Sequence, residues 1–146
     1  MKWVNHQILT GVIVYAATGN LLYTACSVGG SILPDKLEGD PAKGNYQRWR
    51  RQHRGRTHWP LPYILLGGFL YQAGALHLVS PAMQDLEWFG IYILAGAVLH
   101  ILQDACCGKV PLLFPDKKWG ISLFKVGSLT EYIFTLLVAL CIWQNI

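Results

Sequence analysis

The chain has 146 residues, of which 53% are hydrophobic and 14% are charged, and its mean hydropathy is +0.32. An average soluble domain carries about 25% charged residues, so this composition argues against an ordinary cytosolic globular protein. The many apolar side chains exclude a disordered chain, the glycines have no three-residue period, and four cysteines are too few for a disulfide-stapled secreted module. The composition predicts an integral membrane protein with a single domain over residues 1–146.

The first apolar segment, residues 7–33, contains no charged side chain. It predicts either one long tilted helix or a helical hairpin that turns at Gly19-Asn20. Each arm of a hairpin would have about 13 residues and a length of about 19 Å, which is too short to cross a bilayer core and would make a re-entrant unit. A third alternative is a cleaved signal peptide, for which Lys2 would be a minimal basic region.

Three further apolar segments follow, at about residues 61–79, 88–103 and 127–143. Each is close to the length needed for a spanning helix, so the sequence predicts three transmembrane helices. Four tryptophans support these boundaries, because amphipathic indole rings favour the headgroup level and lie near the segment ends: Trp59, Trp88, Trp119 and Trp143. The predicted fold class is an all-α integral membrane protein, with an N-terminal helical hairpin or long helix plus three transmembrane helices.

The basic residues predict the orientation of the chain. Of the 12 Lys and Arg residues, seven lie between Lys36 and Arg56 and four between Lys109 and Lys125. The positive-inside rule therefore places a basic loop, residues 34–60, and residues 104–127 in the cytoplasm, and the short acidic loop before Trp88 outside. Lys2 agrees with this orientation only if the first segment is a hairpin.

A set of His and Asp residues is predicted to share the cytoplasmic side, at the helix ends. His53 and His58 flank the sequence Arg54-Gly55-Arg56-Thr57, and two neutral imidazoles at such spacing can share a metal ion. The alternative for this stretch is a solvated loop that faces lipid headgroups.

His100 and Asp104 are four residues apart and share one helical face, while Asp35 ends the first apolar segment after Leu33-Pro34. Ionisable groups within a span usually face a cavity or a partner. Asp35, His53, His58, His100 and Asp104 together predict a site for Zn²⁺, with Mn²⁺ or Fe as alternatives and one or two ions. His6 can join this site only if the first segment is a hairpin.

These elements resemble the bacterial inner-membrane metal-dependent hydrolases of the YdjM/YbcI type. The resemblance rests on an early His and on four motifs in the family's order: His6, Leu33-Pro34-Asp35, His53-Arg54-Gly55-Arg56-Thr57-His58, His100-Ile101-Leu102-Gln103-Asp104 and Val110-Pro111-Leu112-Leu113-Phe114-Pro115. It implies an all-helical inner-membrane protein whose His and Asp residues bind a divalent metal for hydrolysis. It also favours the hairpin, because His6 would then lie near Asp35.

The chain departs from the family pattern at three places. Leu37 stands where family members carry a second Asp, so that Glu38 or Asp40 would have to supply this carboxylate. Trp59 replaces a Ser, and Cys106-Cys107 replaces a Thr-Pro pair.

With this resemblance, the main functional hypothesis is a membrane-bound metal-dependent hydrolase that acts through metal-activated water. Its metal ligands would be His6, Asp35, His53, His58, His100 and Asp104. Arg54 and Arg56 would grip a phosphate, which makes a phospholipid or another membrane-associated phosphoester the expected substrate.

The alternative is a non-enzymatic membrane protein with a structural metal site, whose basic loop binds anionic lipid or a protein partner. A metal transporter ranks last, because the ionisable groups lie at the predicted helix ends and not in mid-membrane. No nucleic-acid partner is expected. Small residues would allow close helix packing within the chain or in a homo-oligomer: Gly67, Gly68, Gly74 and Gly96.

Overall fold

The computed structural model describes residues 1–39, 53–76, 78, 80 and 83–145, and the structural statements below concern these residues. They form six α-helices: α1 (Trp3–Thr18), α2 (Leu21–Gly30), α3 (Leu33–Glu38), α4 (Leu61–Ala75), α5 (Gln84–Cys107) and α6 (Leu129–Trp143). A 3-10 turn (Arg56–His58) precedes α4, and two strands, β1 (Val110–Phe114) and β2 (Lys117–Trp119), lie between α5 and α6. The prediction of a mainly helical chain is confirmed.

The first apolar segment forms the helical hairpin and not the single long helix. Gly19 ends α1 in the left-handed backbone conformation, with φ 62°, and its N–H donates to the carbonyl oxygen of Tyr15. The Asn20 side chain then accepts hydrogen bonds from the N–H groups of Leu22 and Tyr23, at 2.9 and 3.2 Å. A left-handed glycine and an Asn cap are the usual local signals for ending one helix and starting the next. The hairpin returns the chain to its starting end, where His6 and Asp35 lie close together.

The helices differ from the predicted spans in length. Among the described residues, α5 is the one helix that is long and apolar enough to cross a membrane, with 24 residues, while the apolar helix α6 has 15. The helix predicted within residues 61–79 ends at Ala75. Three membrane crossings therefore stay a prediction.

The strands β1 and β2 form an antiparallel hairpin, which the predicted all-α fold does not include. The apolar run from Val110 to Phe114 is compatible with a strand, and Pro115-Asp116 favours the turn that follows it. After the hairpin, the N–H groups of Ile121 and Leu123 donate to the carbonyl oxygens of Ala105 and Cys106, at 2.8 and 2.7 Å. These bonds satisfy the last carbonyls of α5, which a helix cannot pair internally. The all-α expectation is corrected by this two-stranded element.

Helices α2 and α5 cross with their backbones in contact. A Cβ atom on Gly30 would lie 1.9 Å from the carbonyl oxygen of Ile93, and one on Gly96 would lie 2.0 Å from that of Ser27. Only glycine allows so close an approach at these two positions. The crossing brings Ser31, which follows α2, next to His100 on α5.

The main apolar core lies behind the polar residues, between α4, α5 and β1. It contains the buried side chains of Tyr63, Leu94, Ala97, Ile101 and Val110. Ala97, His100, Ile101 and Asp104 lie three or four residues apart and share the buried side of α5. Burial of Ala97 and Ile101 in the core therefore fixes the rotation of α5 and the positions of His100 and Asp104 at the edge of this core.

Candidate metal centre

Five of the six predicted ligands come together at one place, and we call them the metal centre: His6, Asp35, His58, His100 and Asp104. They are supplied by α1, α3, the 3-10 turn and α5. The three imidazole rings are fully buried, and the Asp35 and Asp104 side chains are 20% and 3% exposed. The hairpin brings in His6, the turn before α4 brings in His58, and α5 contributes two residues on one face.

His58 lies in the middle of this set. Its Nε2 atom is 3.2 Å from Asp35 Oδ1, 3.3 Å from His100 Nε2 and 3.6 Å from Asp104 Oδ2. His100 Nε2 in turn lies 3.6 Å from Asp35 Oδ1 and 3.7 Å from Asp104 Oδ2. His6 completes the set, with its ring stacked on that of His100 at a centroid distance of 3.8 Å.

The ligand atoms form two overlapping groups, in each of which all atoms lie within 4.8 Å of one another. One group contains Asp35, His58 and His100, and the other contains His6, His100 and Asp104. Both groups therefore depend on His100.

Hydrogen bonds on the outer side of two rings determine which nitrogen faces the centre. His100 Nδ1 lies 2.5 Å from the carbonyl oxygen of Ser31, which can only accept, so Nδ1 carries the proton and the Nε2 lone pair is available. His6 Nδ1 lies 2.8 Å from the Gln103 Oε1 atom, and the Gln103 amide donates to Thr10 Oγ1 at 3.2 Å, which holds the amide in that orientation. Such outer hydrogen bonds are a regular feature of metal-binding histidines.

One nitrogen of the centre is left without a hydrogen bond. His6 Nε2 is buried and has no hydrogen-bond partner among the described residues, although Asp104 Oδ1 lies 3.3 Å away. Buried polar atoms are nearly always satisfied, so an exception calls for an explanation such as an ion. Three imidazole nitrogens and two carboxylates are also the donor types that Zn²⁺, Mn²⁺ and Fe prefer. The residues present therefore fit a divalent metal ion.

Asp35 is held in place and kept ionised. Trp3 Nε1 donates to Asp35 Oδ2 at 2.6 Å, which leaves Oδ1 directed at His58 and His100. Burial acts to raise the pKa of the Asp35 carboxyl, but hydrogen bonds with His100 and His58 outweigh it and hold the pKa well below its usual range. An ionised carboxylate is the form that binds a metal ion.

The two predicted phosphate-binding arginines lie in different places. Arg54 pairs with both oxygens of Asp104, Nε to Oδ2 and Nη2 to Oδ1, each at 2.9 Å. Its backbone has φ 55°, which turns the side chain toward α5. The amino group of Met1 also contacts Asp104 Oδ1. The Arg54 guanidinium is thus occupied by a carboxylate of the centre.

Arg56 is exposed and is not brought to the metal centre. It lines a separate, mostly apolar cavity of about 480 Å³, together with residues of α3 and α4 such as Leu37 and Tyr63. Leu33 and Leu37 face this cavity, whereas Asp35 lies between them in sequence and points to the other side of α3.

The sixth predicted ligand, His53, lies at the margin of the metal centre. Its Nδ1 atom is 2.9 Å from Glu38 Oε2, and the same oxygen is 4.0 Å from His58 Nδ1. Glu38 therefore reaches the outer side of the metal centre. Asp40, the other carboxylate named for this role, lies outside the described residues. Arg48, Arg50 and Arg51 of the basic loop also lie outside them.

Sequence reasoning missed three groups that orient the ligands, namely the Trp3 indole, the Ser31 carbonyl and the Gln103 amide. Gln103 sits inside the motif that runs from His100 to Asp104, so its position was a usable signal. The Ser31 contact involves only a backbone atom, and Trp3 looks like an ordinary interfacial tryptophan, so neither leaves a sequence signal.

Of the three comparisons with known proteins, the comparison with protein families found a match. No curated protein and no solved structure matches the chain. The family described as YdjM inner membrane protein matches residues 1–146, which confirms the resemblance drawn from the motifs. On that match, together with its buried His and Asp residues, the chain belongs to the YdjM inner membrane protein family.

Proposed function

We propose that this protein is a metal-dependent hydrolase of the inner membrane, which acts on a phospholipid or another membrane-associated phosphoester. The observation that carries the proposal is the convergence of five His and Asp side chains from four separate elements, four of them buried, with His6 Nε2 buried and without a hydrogen bond from the described residues. Burying so many polar groups costs stability unless a partner compensates them. A bound cation is the partner that suits this donor set.

The arrangement favours one ion over two. His100 has a single lone pair available, because its Nδ1 proton is directed at Ser31. The two overlapping ligand groups share His100, which has one nitrogen to give, so we take them as alternative positions for one ion. Zn²⁺ is the first expectation, with Mn²⁺ or Fe as alternatives.

A divalent ion in such a centre supplies a Lewis acid that makes water a better nucleophile near neutral pH. The protein's own residues supply the rest. Arg54 holds Asp104 in a two-point contact, and Trp3 and Ser31 orient Asp35 and His100. His53 is 36% exposed and contacts Glu38, so this pair is placed to exchange a proton between the centre and solvent.

We place the centre on the cytoplasmic side of a chain that crosses the membrane several times. With α1 and α2 forming a re-entrant hairpin, Lys2 joins the other basic residues, and all 12 Lys and Arg side chains fall on one side. A single cysteine introduced at position 2 in a variant lacking the native cysteines tests this: we expect labelling by an impermeant maleimide from the cytoplasmic face. Labelling from the periplasmic face would overturn the orientation.

The functional test combines metal content with hydrolysis. Purified wild-type protein should contain about one equivalent of metal by mass spectrometry. The variants His58→Ala and Asp104→Asn should lose this metal. The matched control His53→Ala should retain it. Wild-type protein should hydrolyse phospholipid vesicles or bis(p-nitrophenyl) phosphate. Absence of stoichiometric metal would overturn the proposal, and metal without hydrolysis of either ester would favour a non-enzymatic protein with a structural metal site.

A further inference from the structure

Two cavities meet at Asp35. One, of about 350 Å³, is lined by His53, Arg54, Asp104 and Val126. The other, of about 520 Å³, is lined by Lys2, Trp3, Val4 and Tyr132. Asp35 and Met1 are the two residues that line both, so the metal centre can be approached from two sides.

The 520 Å³ cavity opens onto an apolar surface between α1 and α6. We call this cavity and the apolar surface together the α1/α6 groove. Val4 and Tyr132 at its edges are 58% and 46% exposed. One helical turn farther along the same faces lie Ile8 and Leu136, which are 43% and 60% exposed. The apolar surface therefore extends away from Asp35 along both helices, in the manner needed to hold a hydrocarbon chain.

Positive charge lies at the end of the groove nearest the metal centre. Lys2 lines the groove, and the Lys36 ammonium lies 4.7 Å above the centre of the Trp3 ring. The nearby Glu131 carboxylate is fully buried and accepts hydrogen bonds from two backbone N–H groups and the Asn5 amide. Among the residues that the structure describes, neither Lys2 nor Lys36 forms an ion pair, so both ammonium groups are available to an anion beside Asp35.

We infer that the α1/α6 groove binds an anionic phospholipid, with an acyl chain along Val4 and Tyr132 and the phosphate between Lys2 and Lys36. This rests on the proposed function for the metal centre and narrows its substrate to a lipid. A small water-soluble phosphoester has no hydrocarbon chain that would extend along the groove, whereas a phospholipid matches both the apolar walls and the basic end of the groove. The 350 Å³ cavity on the other side of Asp35, which His53, Arg54 and Asp104 line, then admits water and the polar headgroup.

A photo-crosslinking experiment tests the groove without relying on catalysis. The full-length protein in nanodiscs is irradiated with phosphatidylglycerol that carries a diazirine in its acyl chain, and labelled peptides are identified by mass spectrometry. We expect labels on α1 and α6 near Val4 and Tyr132. Val4→Trp should remove these labels, and the matched control Leu65→Trp, at a 63% exposed position on α4, should leave them in place.

The charge part of the inference has its own readout. Lys2→Gln and Lys36→Gln together should abolish the preference for labelled phosphatidylglycerol over labelled phosphatidylcholine, while metal content stays at the wild-type level. Labelling spread equally over the exposed faces of α4 and α6, and unaffected by Val4→Trp, would show ordinary annular lipid and overturn the inference.

The two proposals fail in distinguishable ways. If the labels and their loss in Val4→Trp are found but no phosphoester is hydrolysed, the lipid site stands and the hydrolase proposal fails. If a soluble ester is hydrolysed at the same rate by wild type and Val4→Trp, and the groove is not labelled, the hydrolase stands and the lipid site is refuted.

Discussion

The contact between α2 and α5 predicts that Gly30→Ala will disrupt a metal centre that Gly30 does not touch. The added Cβ would lie 1.9 Å from the carbonyl oxygen of Ile93, whereas ordinary contacts begin at 3.4 Å, so the backbones must move apart by 1.5 Å (3.4 minus 1.9). Strain of this kind in a packed helix pair costs about 1–3 kcal/mol. The neighbouring glycine provides the control, because no described atom lies within 4 Å of a Cβ placed on Gly29.

The same displacement acts on His100. Its Nδ1 atom lies 2.5 Å from the carbonyl oxygen of Ser31, directly after α2. A shift of this size would lengthen the contact to about 4 Å, beyond the range of a hydrogen bond. Losing an outer hydrogen bond of a metal-binding His typically lowers metal affinity about 10- to 100-fold.

The assay compares Gly30→Ala with Gly29→Ala in detergent. Gly29→Ala should unfold at the wild-type temperature or slightly above it, since alanine favours a helix over glycine by up to about 1 kcal/mol. Gly30→Ala should unfold at lower temperature and lose Zn²⁺ to a weaker chelator in a competition titration. Equal zinc affinity in the two variants would refute the argument that the helix crossing positions His100.

Three further predictions concern residues around the centre. Glu131→Gln should destabilise the protein by about 1.5–3 kcal/mol in denaturant titrations, because it removes a carboxylate that accepts from Lys2 N–H and Asn5 at 2.6 and 2.5 Å; an unchanged midpoint would contradict a role in anchoring α1. Trp3→Phe should lower metal affinity about 10-fold in chelator competition with little change in Tm, because it removes only the donor to Asp35. In metal-free protein, the Asp35 pKa lies below its ordinary value of 3.8, so this carboxylate stabilises the fold above that pH and the stabilisation is lost as pH falls below it. The Tm difference between wild type and Asp35→Asn should thus be constant near neutral pH and narrow below about pH 4, and a difference that persists in strong acid would contradict it.

Much of the centre could be predicted because its signals are local. The spacing of His100 and Asp104 places them on one helical face, and Pro34 and Gly19-Asn20 mark chain breaks that bring the ends of the hairpin together. Five of the six proposed ligands depend on such features. His53 lies at the margin of the metal centre because its ring pairs with Glu38. The spacing of residues in the sequence does not determine whether His53 pairs with Glu38 or binds at the centre.

The remaining features depend on local backbone conformations that the sequence does not signal, or on contacts between distant residues. The direction of Arg54 follows from one left-handed backbone position, and Arg56, two residues later, turns to the other side of the 3-10 turn. The hydrogen bond from Trp3 to Asp35 joins residues that are 32 apart in sequence. The β-hairpin was missed because an apolar run of five residues does not distinguish a strand from a piece of helix.

The ends of the helices give the centre an electrostatic character beyond its side chains. Helices α2 and α5 both direct their carboxyl ends toward it, through the Ser31 carbonyl and through Asp104 in the last turn of α5. Such an end carries about half a negative charge. The positive ends of α1 and α3 also lie nearby, where the Glu131 carboxylate accepts the N–H of Lys2 and Asp35 lies in the first turn of α3. The carboxyl ends of α2 and α5 thus add a negative potential that does not titrate, and this contribution remains when a carboxylate ligand is replaced by its amide.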